Sequence, residues 1–306
     1  MDIRDYGFEP QRVETFDSSR LKDFVDCPSM FYLRHILGLR PATLDPSYDA
    51  KFDWGTCWHH VLWVFHKTEG DKEVKTIEAL KALDENYPEY ITPTTDKHKR
   101  SKARMIEGFF LYLDKWWEQD LRNFDVLRHE QFFDQYNEVD NLRWTGRIDS
   151  IRRWKGTSRI VVVDYKTASV MGESYFDQHE IGFQFPGYSW AVSGMFGQPV
   201  YEILVDVLYM ISAKVEPLRK TFRYDAARIQ EWVRNVKFWI DRINYLQDNH
   251  LYDPEAWGKN FNECTRYGRC AFFNVHSISP KGSARLNILQ QNYRVDRWDP
   301  SDMESD

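Results

Sequence analysis

The chain has 306 residues and carries 47 acidic against 41 basic side chains, so its net charge of −6 excludes a protein that coats nucleic acid by bulk electrostatics while leaving room for a local basic groove. Aromatic residues make up 16%, Trp alone numbering 12, which excludes a disordered chain and fits one large packed domain or a core with insertions. Four cysteines are too few for a secreted disulfide scaffold, no apolar stretch nears membrane-spanning length, and Met1-Asp-Ile-Arg-Asp-Tyr-Gly7 lacks an apolar signal core, so the expected location is the cytoplasm with no membrane partner.

In chain order, an extended arm over residues 1–17 leads to Ser18-Ser-Arg-Leu-Lys-Asp-Phe-Val-Asp-Cys-Pro28, where serine is expected to cap a short amphipathic helix that Pro28 punctuates. A second helix is predicted from Phe31 to Leu37, then a connector from Pro41 to Asp49. Trp54-Gly-Thr-Cys-Trp-His-His-Val-Leu-Trp-Val-Phe-His66 reads as a buried helix. Charged helical segments fill about residues 71–123, broken near Pro88 and Pro93. The period then changes: Val126–Tyr136, Leu142–Arg153 and Arg159–Thr167 read as strands, Ser174–Met195 as a helix, and Tyr201–Ala213 and Val215–Tyr224 as strands. Asp225–Leu251 is predicted to be a long helix whose Ile229, Trp232, Val236, Trp239, Ile243 and Leu246 form a core stripe. Beyond Trp257 the chain reads as loop-rich, with Ser301–Asp306 an acidic tail expected to be disordered.

The chemistry concentrates where Arg159-Ile-Val-Val-Val-Asp-Tyr-Lys-Thr167 ends. Successive strand residues alternate faces, so Asp164 and Lys166 project together, with backbones about 6–7 Å apart. An acid-x-lysine by itself is most often a solvated pair. Here a second strand-like run, Trp144-Thr-Gly-Arg-Ile-Asp149, is joined to the first by the Lys155-Gly-Thr-Ser turn; this is a hairpin pattern that can bring Asp149 beside Asp164, and two close carboxylates call for a divalent cation. Lys97-His-Lys-Arg-Ser-Lys-Ala-Arg104 is either a phosphate contact or a solvated helix start.

The ordered set His59, Asp149, Asp164-x-Lys166, Gln184-x-x-x-Tyr188 resembles the PD-(D/E)xK nuclease superfamily in its RecB-like exonuclease branch, with likenesses to CRISPR-associated RecB-like and AddB-type iron–sulfur nucleases. Leu21-Lys-Asp-Phe-Val-Asp-Cys-Pro-Ser-Met-Phe-Tyr32, Gly55-Thr-x-x-His59 and Cys264-x-x-Tyr-Gly-x-Cys270-x-Phe272 extend the resemblance from about residue 18 to 276. It implies an α/β, restriction-endonuclease-like core, a central mixed sheet flanked by helices, with the helical insertion at about 71–123, a small metal-cluster-binding region at about 257–278, a nuclease domain over 18–278 and a tail over 279–306. It further implies that His59, Asp149, Asp164 and the Tyr165 carbonyl hold Mg²⁺ or Mn²⁺, the imidazole tilting preference towards Mn²⁺, and that Lys166 orients or helps deprotonate the attacking water. His60 is the rival of His59, and Glu130 is either a supporting acid or a surface one. Gln184 and Tyr188 would orient DNA or water, provided Pro186-Gly187 does not kink their helix.

The resemblance also implies a [4Fe–4S] centre at Cys27, Cys264 and Cys270, with His276 standing where a fourth thiol is expected; Cys₃His is equally a zinc pattern, and Cys57 is a fourth thiol only if the helix carrying His59 reaches the cluster. The function expected is a metal-dependent DNA exonuclease acting at ends or single strands in recombination, repair or phage DNA processing. The chain has no P-loop motif, so a separate helicase or recombinase is the expected partner. A catalytically silent DNA-binding scaffold and an RNA-directed nuclease are the alternatives.

Overall fold

The computed structural model describes residues 3–42, 46–92, 100–172, 175–266, 269–278 and 283–297. Lys97 to Lys99 of the basic run, Pro93, Ser174 and the tail from Ser301 lie outside the described residues. The helices are α1 (Ser18–Asp26), α2 (Pro28–Phe31), α3 (Pro46–Lys67), α4 (Lys72–Asn86), α5 (Lys102–Tyr112), α6 (Glu118–Asn123), α7 (Asp177–Glu180), α8 (Gln184–Phe196), α9 (Ala226–His250), α10 (Phe273–His276) and α11 (Ala284–Asn292). The strands are β1 (Leu39–Pro41), β2 (Phe124–Asn137), β3 (Leu142–Trp154), β4 (Ile160–Ala168), β5 (Glu202–Ile211), β6 (Lys214–Arg223) and β7 (Tyr293–Val295). No helix among the described residues is long and apolar enough to cross a membrane.

The chain divides into two compact units, one of Met1–Leu44, Asp134–Gly146 and Gln230–Asp306, the other of Asp45–Phe133 and Arg147–Ile229. The second unit holds most of a five-stranded sheet in the order β2-β3-β4-β5-β6. The β3/β4 and β5/β6 pairs are antiparallel and β4/β5 is parallel, so the sheet is mixed and the α/β class is as the sequence predicts. From Ile160 to Tyr165 every residue of β4 is buried, as a strand covered on both faces requires. The parallel β4/β5 step needs a long crossover, and α8 supplies it. One face packs Val161, Val163 and Tyr165 of β4 with Leu204 and Leu208 of β5 against Trp54, Trp58, Val61 and Phe65 of α3 and Phe109 of α5. Gly108 lets α5 press onto β5: a Cβ there would sit 2.7 Å from Leu208 Cδ2.

In the first unit, Trp257 stacks on Phe31 with ring centroids 6.0 Å apart and meets Phe24 edge-on at 6.4 Å. The predicted stripe of α9 is buried except for half-buried Trp239.

Three local expectations are corrected and one is refined. Asp17, not serine, caps α1, accepting from the Ser19 and Arg20 amides. The helix expected over Phe31–Leu37 is present, α2 running on into a π-helical turn, Tyr32–Ile36. The helix expected from Ser174 to Met195 divides into the single turn α7 and α8, which starts at Gln184, because Ile181, Gly182 and Phe183 leave the helical path. The loop-rich end contains α11 and β7, and β7 pairs with β1 through Leu39↔Val295.

Candidate active site

The β3/β4 hairpin sets the frame. Ser150 pairs with Val163, so one further step along the antiparallel register brings Asp149 beside Asp164. On β4, Asp164 and Lys166 project from one face and Tyr165 from the other. The helix α3 delivers His59, and Gly55, one turn earlier, lies beside β4, where a Cβ would just touch Thr167 Oγ1 at 3.4 Å. Of the two adjacent histidines, His59 reaches the acids, its Nδ1 lying 3.2 Å from Asp149 Oδ1, while His60 lies against Trp63 and receives the Asn86 side-chain amide at 3.4 Å.

His59, Glu130 and Asp149 place one ligand atom each within 4.8 Å of one another, the sole such trio of His, Cys, Asp or Glu among the described residues. Asp149 is fixed from behind by the Tyr165 amide, which donates to Oδ2 at 2.6 Å. Asp164 is turned towards Lys166, whose Nζ donates to Oδ1 at 2.9 Å and lies 2.7 Å from Oδ2, and towards Gln184, whose Nε2 is 3.3 Å from Oδ1. Oδ2 is buried and lacks a well-angled donor. Three acids with one under-satisfied carboxylate oxygen, next to an imidazole, are a donor set of the kind a divalent cation accepts.

The electrostatics agree. Burial pushes Glu130 up to about 7, the nearby Asp149 adding to the shift and His59 and Arg147 opposing it. Burial likewise pushes Asp164 up to about 6, with Lys166 opposing it and Asp149 reinforcing it. Burial acts upwards on Asp149 as well, but His59, Lys166 and the Tyr165 amide outweigh it and hold its carboxyl below the usual range. Burial acts downwards on His59, and the Asp149 charge and hydrogen bond reverse it, so its basicity rises.

Glu130 is where residue reasoning fell short. It sits in β2 with φ +43°, a left-handed conformation that costs a non-glycine residue about 1–3 kcal/mol and clusters at functional sites. Its carboxylate also has Arg147 NH1 at 3.7 Å. An isolated Glu in a strand-like run leaves the choice between a supporting and a surface acid open, because neither its left-handed backbone nor its approach to Asp149 has a residue signature.

Gln184 and Tyr188 share a face after all. With α8 starting at Gln184, Pro186 occupies the third helical position, where the missing N–H has no helical acceptor to lose. Gln184 Nε2 donates to Tyr188 Oη at 2.8 Å, and Tyr188 Oη donates to the Arg147 carbonyl at 2.7 Å, tying α8 to β3 two residues from Asp149.

Behind the site, on the Tyr165 face, lies a buried ionic network. Arg152 donates to Tyr165 Oη at 2.7 Å, to Asp120 at 2.7 Å and to Ser150 Oγ at 3.3 Å. Arg219 grips both Asp120 (2.6 and 2.9 Å) and Asp206 (2.5 and 2.8 Å). Burial acts upwards on Asp120, but the two guanidinium groups outweigh it and hold its carboxyl low.

The cysteines of the predicted cluster lie in the first unit. Cys27, between α1 and α2, receives the Asn260 amide at its Sγ (3.5 Å). The Cys270 amide donates to the Cys264 carbonyl at 2.9 Å, closing the loop between them. Burial raises both the Cys264 and Cys270 thiols, and each feels Cys27 electrostatically. No three of Cys27, Cys264, Cys270 and His276 bring ligand atoms within 4.8 Å of one another among the described residues, and His276 Nε2 lies 3.1 Å from Ser29 Oγ. Cys57 packs in the core of the other unit, its thiol pushed up to about 11 by burial.

Comparison with known proteins adds three findings. The family model of the PD-(D/E)XK nuclease superfamily matches residues 16–275. No curated protein matches the sequence significantly. Among solved structures, a "putative exonuclease" from Eubacterium rectale superposes with a TM-score of 0.51 at 13% identity, over 90% of this chain and 92% of that one. SSO0001 (TM-score 0.35, 16% identity, 91% and 92% covered) and LHK-Exo in complex with dAMP (0.26, 12%, 62% and 90%) are more distant in shape.

Proposed function

The chain belongs to the PD-(D/E)XK nuclease superfamily, and from that premise we propose that it is a metal-dependent DNA exonuclease, hydrolysing phosphodiester bonds at ends or in single strands. The observation that carries the reading is the convergence of His59, Glu130 and Asp149 beside the Asp164–Lys166 pair. The exonuclease part is supported by the description of the Eubacterium rectale neighbour; recombination, repair or phage DNA processing, alongside a separate helicase or recombinase, is the setting it would suit.

His59, Glu130, Asp149 and Asp164, with the Tyr165 carbonyl, would hold Mg²⁺ or Mn²⁺. When bound, the cation supplies Lewis-acid polarisation of the scissile phosphate and acidifies a water. Lys166, held by Asp164, orients the attacking water and stabilises charge on the phosphate; water forms the new P–O bond as the ester P–O bond breaks, and the leaving oxygen takes up a proton. Gln184 and Tyr188, fixed to the Arg147 carbonyl, position the nucleic acid over the acids. The nuclease domain is proposed to run over residues 18–278. A [4Fe–4S] centre on Cys27, Cys264, Cys270 and His276, with zinc as the alternative, is the further proposal for the first unit, supported by the electrostatic proximity of Cys27 to both Cys264 and Cys270.

The test is digestion of end-labelled single- and double-stranded DNA by anaerobically purified protein with Mn²⁺, Mg²⁺ or EDTA. Cleavage is expected only with the metals, and Lys166→Ala should lower it by about 10²–10⁴-fold while keeping DNA binding. Equal cleavage by the variant, or none by wild type, would overturn the reading.

A further inference from the structure

The connection between β4 and α8 does more than cross the sheet. From the catalytic lysine outwards, Lys166 Nζ lies 5.8 Å from the Phe185 ring. Phe185 stacks on His179 (5.4 Å, 28°), His179 meets Tyr175 edge-on at 5.2 Å, and Tyr175 meets Phe176 edge-on at the same separation. Phe176 ends the series against Lys220, whose Nζ is 5.1 Å from its ring. Four aromatic rings therefore run without a gap from one lysine at the reacting centre to another at the rim.

Three observations point from this strip to a ligand. Tyr175 and Phe176 are only partly buried. Val170 and Ile181, in the same connection, are 71% and 74% exposed, leaving its margins apolar. His179 Nε2 is buried without a hydrogen-bond partner, a polar atom the protein itself does not satisfy. Burial and the Asp164 charge push the Tyr175 hydroxyl up to about 12, and burial with Lys166 lowers His179 to about 4, so both rings are uncharged near neutral pH.

We propose that Tyr175 and Phe176, with His179 beneath them, form a nucleobase-stacking surface that receives the unpaired nucleotides next to the scissile phosphate, and that Lys220 takes a backbone phosphate at its far end. This rests on the nuclease reading above. The ligand class follows from geometry: base faces in a duplex are covered by their neighbours, so only a single strand or a frayed end can offer them to a ring, and aromatic rings flanked by basic groups are how sequence-tolerant single-strand sites are built.

The test uses the full chain with Ca²⁺ in place of the catalytic metal for binding, and with Mn²⁺ for turnover. Wild type, Tyr175→Leu, Phe176→Leu and the conservative Tyr175→Trp are compared on a short single-stranded oligonucleotide and on the same oligonucleotide with abasic sites beside the cleaved bond. Each leucine variant is expected to weaken binding of the intact strand and raise KM by about tenfold with kcat changed little, since each base stack is worth about 1–3 kcal/mol. Tyr175→Trp should restore binding, and abasic substitution should weaken wild type while costing the leucine variants little more. If wild type cleaves but the leucine variants bind intact and abasic strands as wild type does, the stacking surface is overturned and the nuclease reading stands. If wild type neither binds nor cleaves any nucleic acid, both fall.

Discussion

The two faces of β4 solve the problem of buried charge in opposite ways. Behind the strand, Arg152 finds an acceptor for each of its three nitrogens, Arg219 grips two aspartates, and Asp120 is held as a stable anion. In front, Glu130 and Asp164 cling to protons, Asp164 Oδ2 lacks a proper donor, and Glu130 sits on a strained backbone. Two arginines and two aspartates make the rear a closed structural unit. The front is left needing positive charge, which is how a site that recruits a cation differs from one that braces a fold.

The sharpest way to break this contrast is to open the rear. Arg152→Met removes one of the two guanidinium groups on Asp120 and the donor to the Tyr165 hydroxyl, and should destabilise the protein by about 3–5 kcal/mol in denaturant unfolding. An unchanged midpoint would mean the rear network braces nothing. Next comes cation binding: Mn²⁺ at a hundredfold excess over its Kd should stabilise wild type by about 2.7 kcal/mol, and His59→Ala should abolish most of that gain. Equal stabilisation of both proteins would place the ion elsewhere.

The smallest effect concerns protons. Burial raises Glu130 to about 7 from an ordinary 4.5 and Asp164 to about 6 from 3.8, so the folded protein in EDTA holds more protons than the unfolded chain across that interval. The stability these two carboxyls contribute is therefore fully present below their unfolded-chain values and is lost as pH rises to about 7. Glu130→Gln should flatten much of this slope and raise stability in EDTA at pH 8 by about 0.5–2 kcal/mol, while impairing metal-dependent cleavage. A variant less stable than wild type under those conditions would show that Glu130 is a structural anion like Asp120.

The contrast also explains what the sequence could disclose. Asp149, Asp164 and Lys166 were legible because strand alternation and one short turn are local rules that bring them together. His59 was legible only through the resemblance, whose Gly55-Thr-x-x-His59 pattern singles it out from His60. Glu130 was legible only as an open choice between a supporting acid and a surface one, because its left-handed backbone and its approach to Asp149 carry no residue signature. The rear network joins α6, β3, β4, β5 and β6, and an arginine such as Arg152 in a strand pattern looks like any solvent-facing cation until its partners arrive. Pro186 misled because its effect on a helix depends on where the helix begins, and helix starts are the least certain feature of a sequence pattern. The β1/β7 pair, three residues each, is too short for any periodicity to register.

One bond at the site has an unusual standing with respect to mutation. Asp149 is anchored by the main-chain amide of residue 165, not by a side chain. Nineteen of the twenty genetically encoded residues would supply that N–H, and proline alone would not. The anchor is thus written into the register of the hairpin and not into its letters, so sequences can diverge widely along β4 and still inherit it, whereas a single slip in strand pairing would lose it at once.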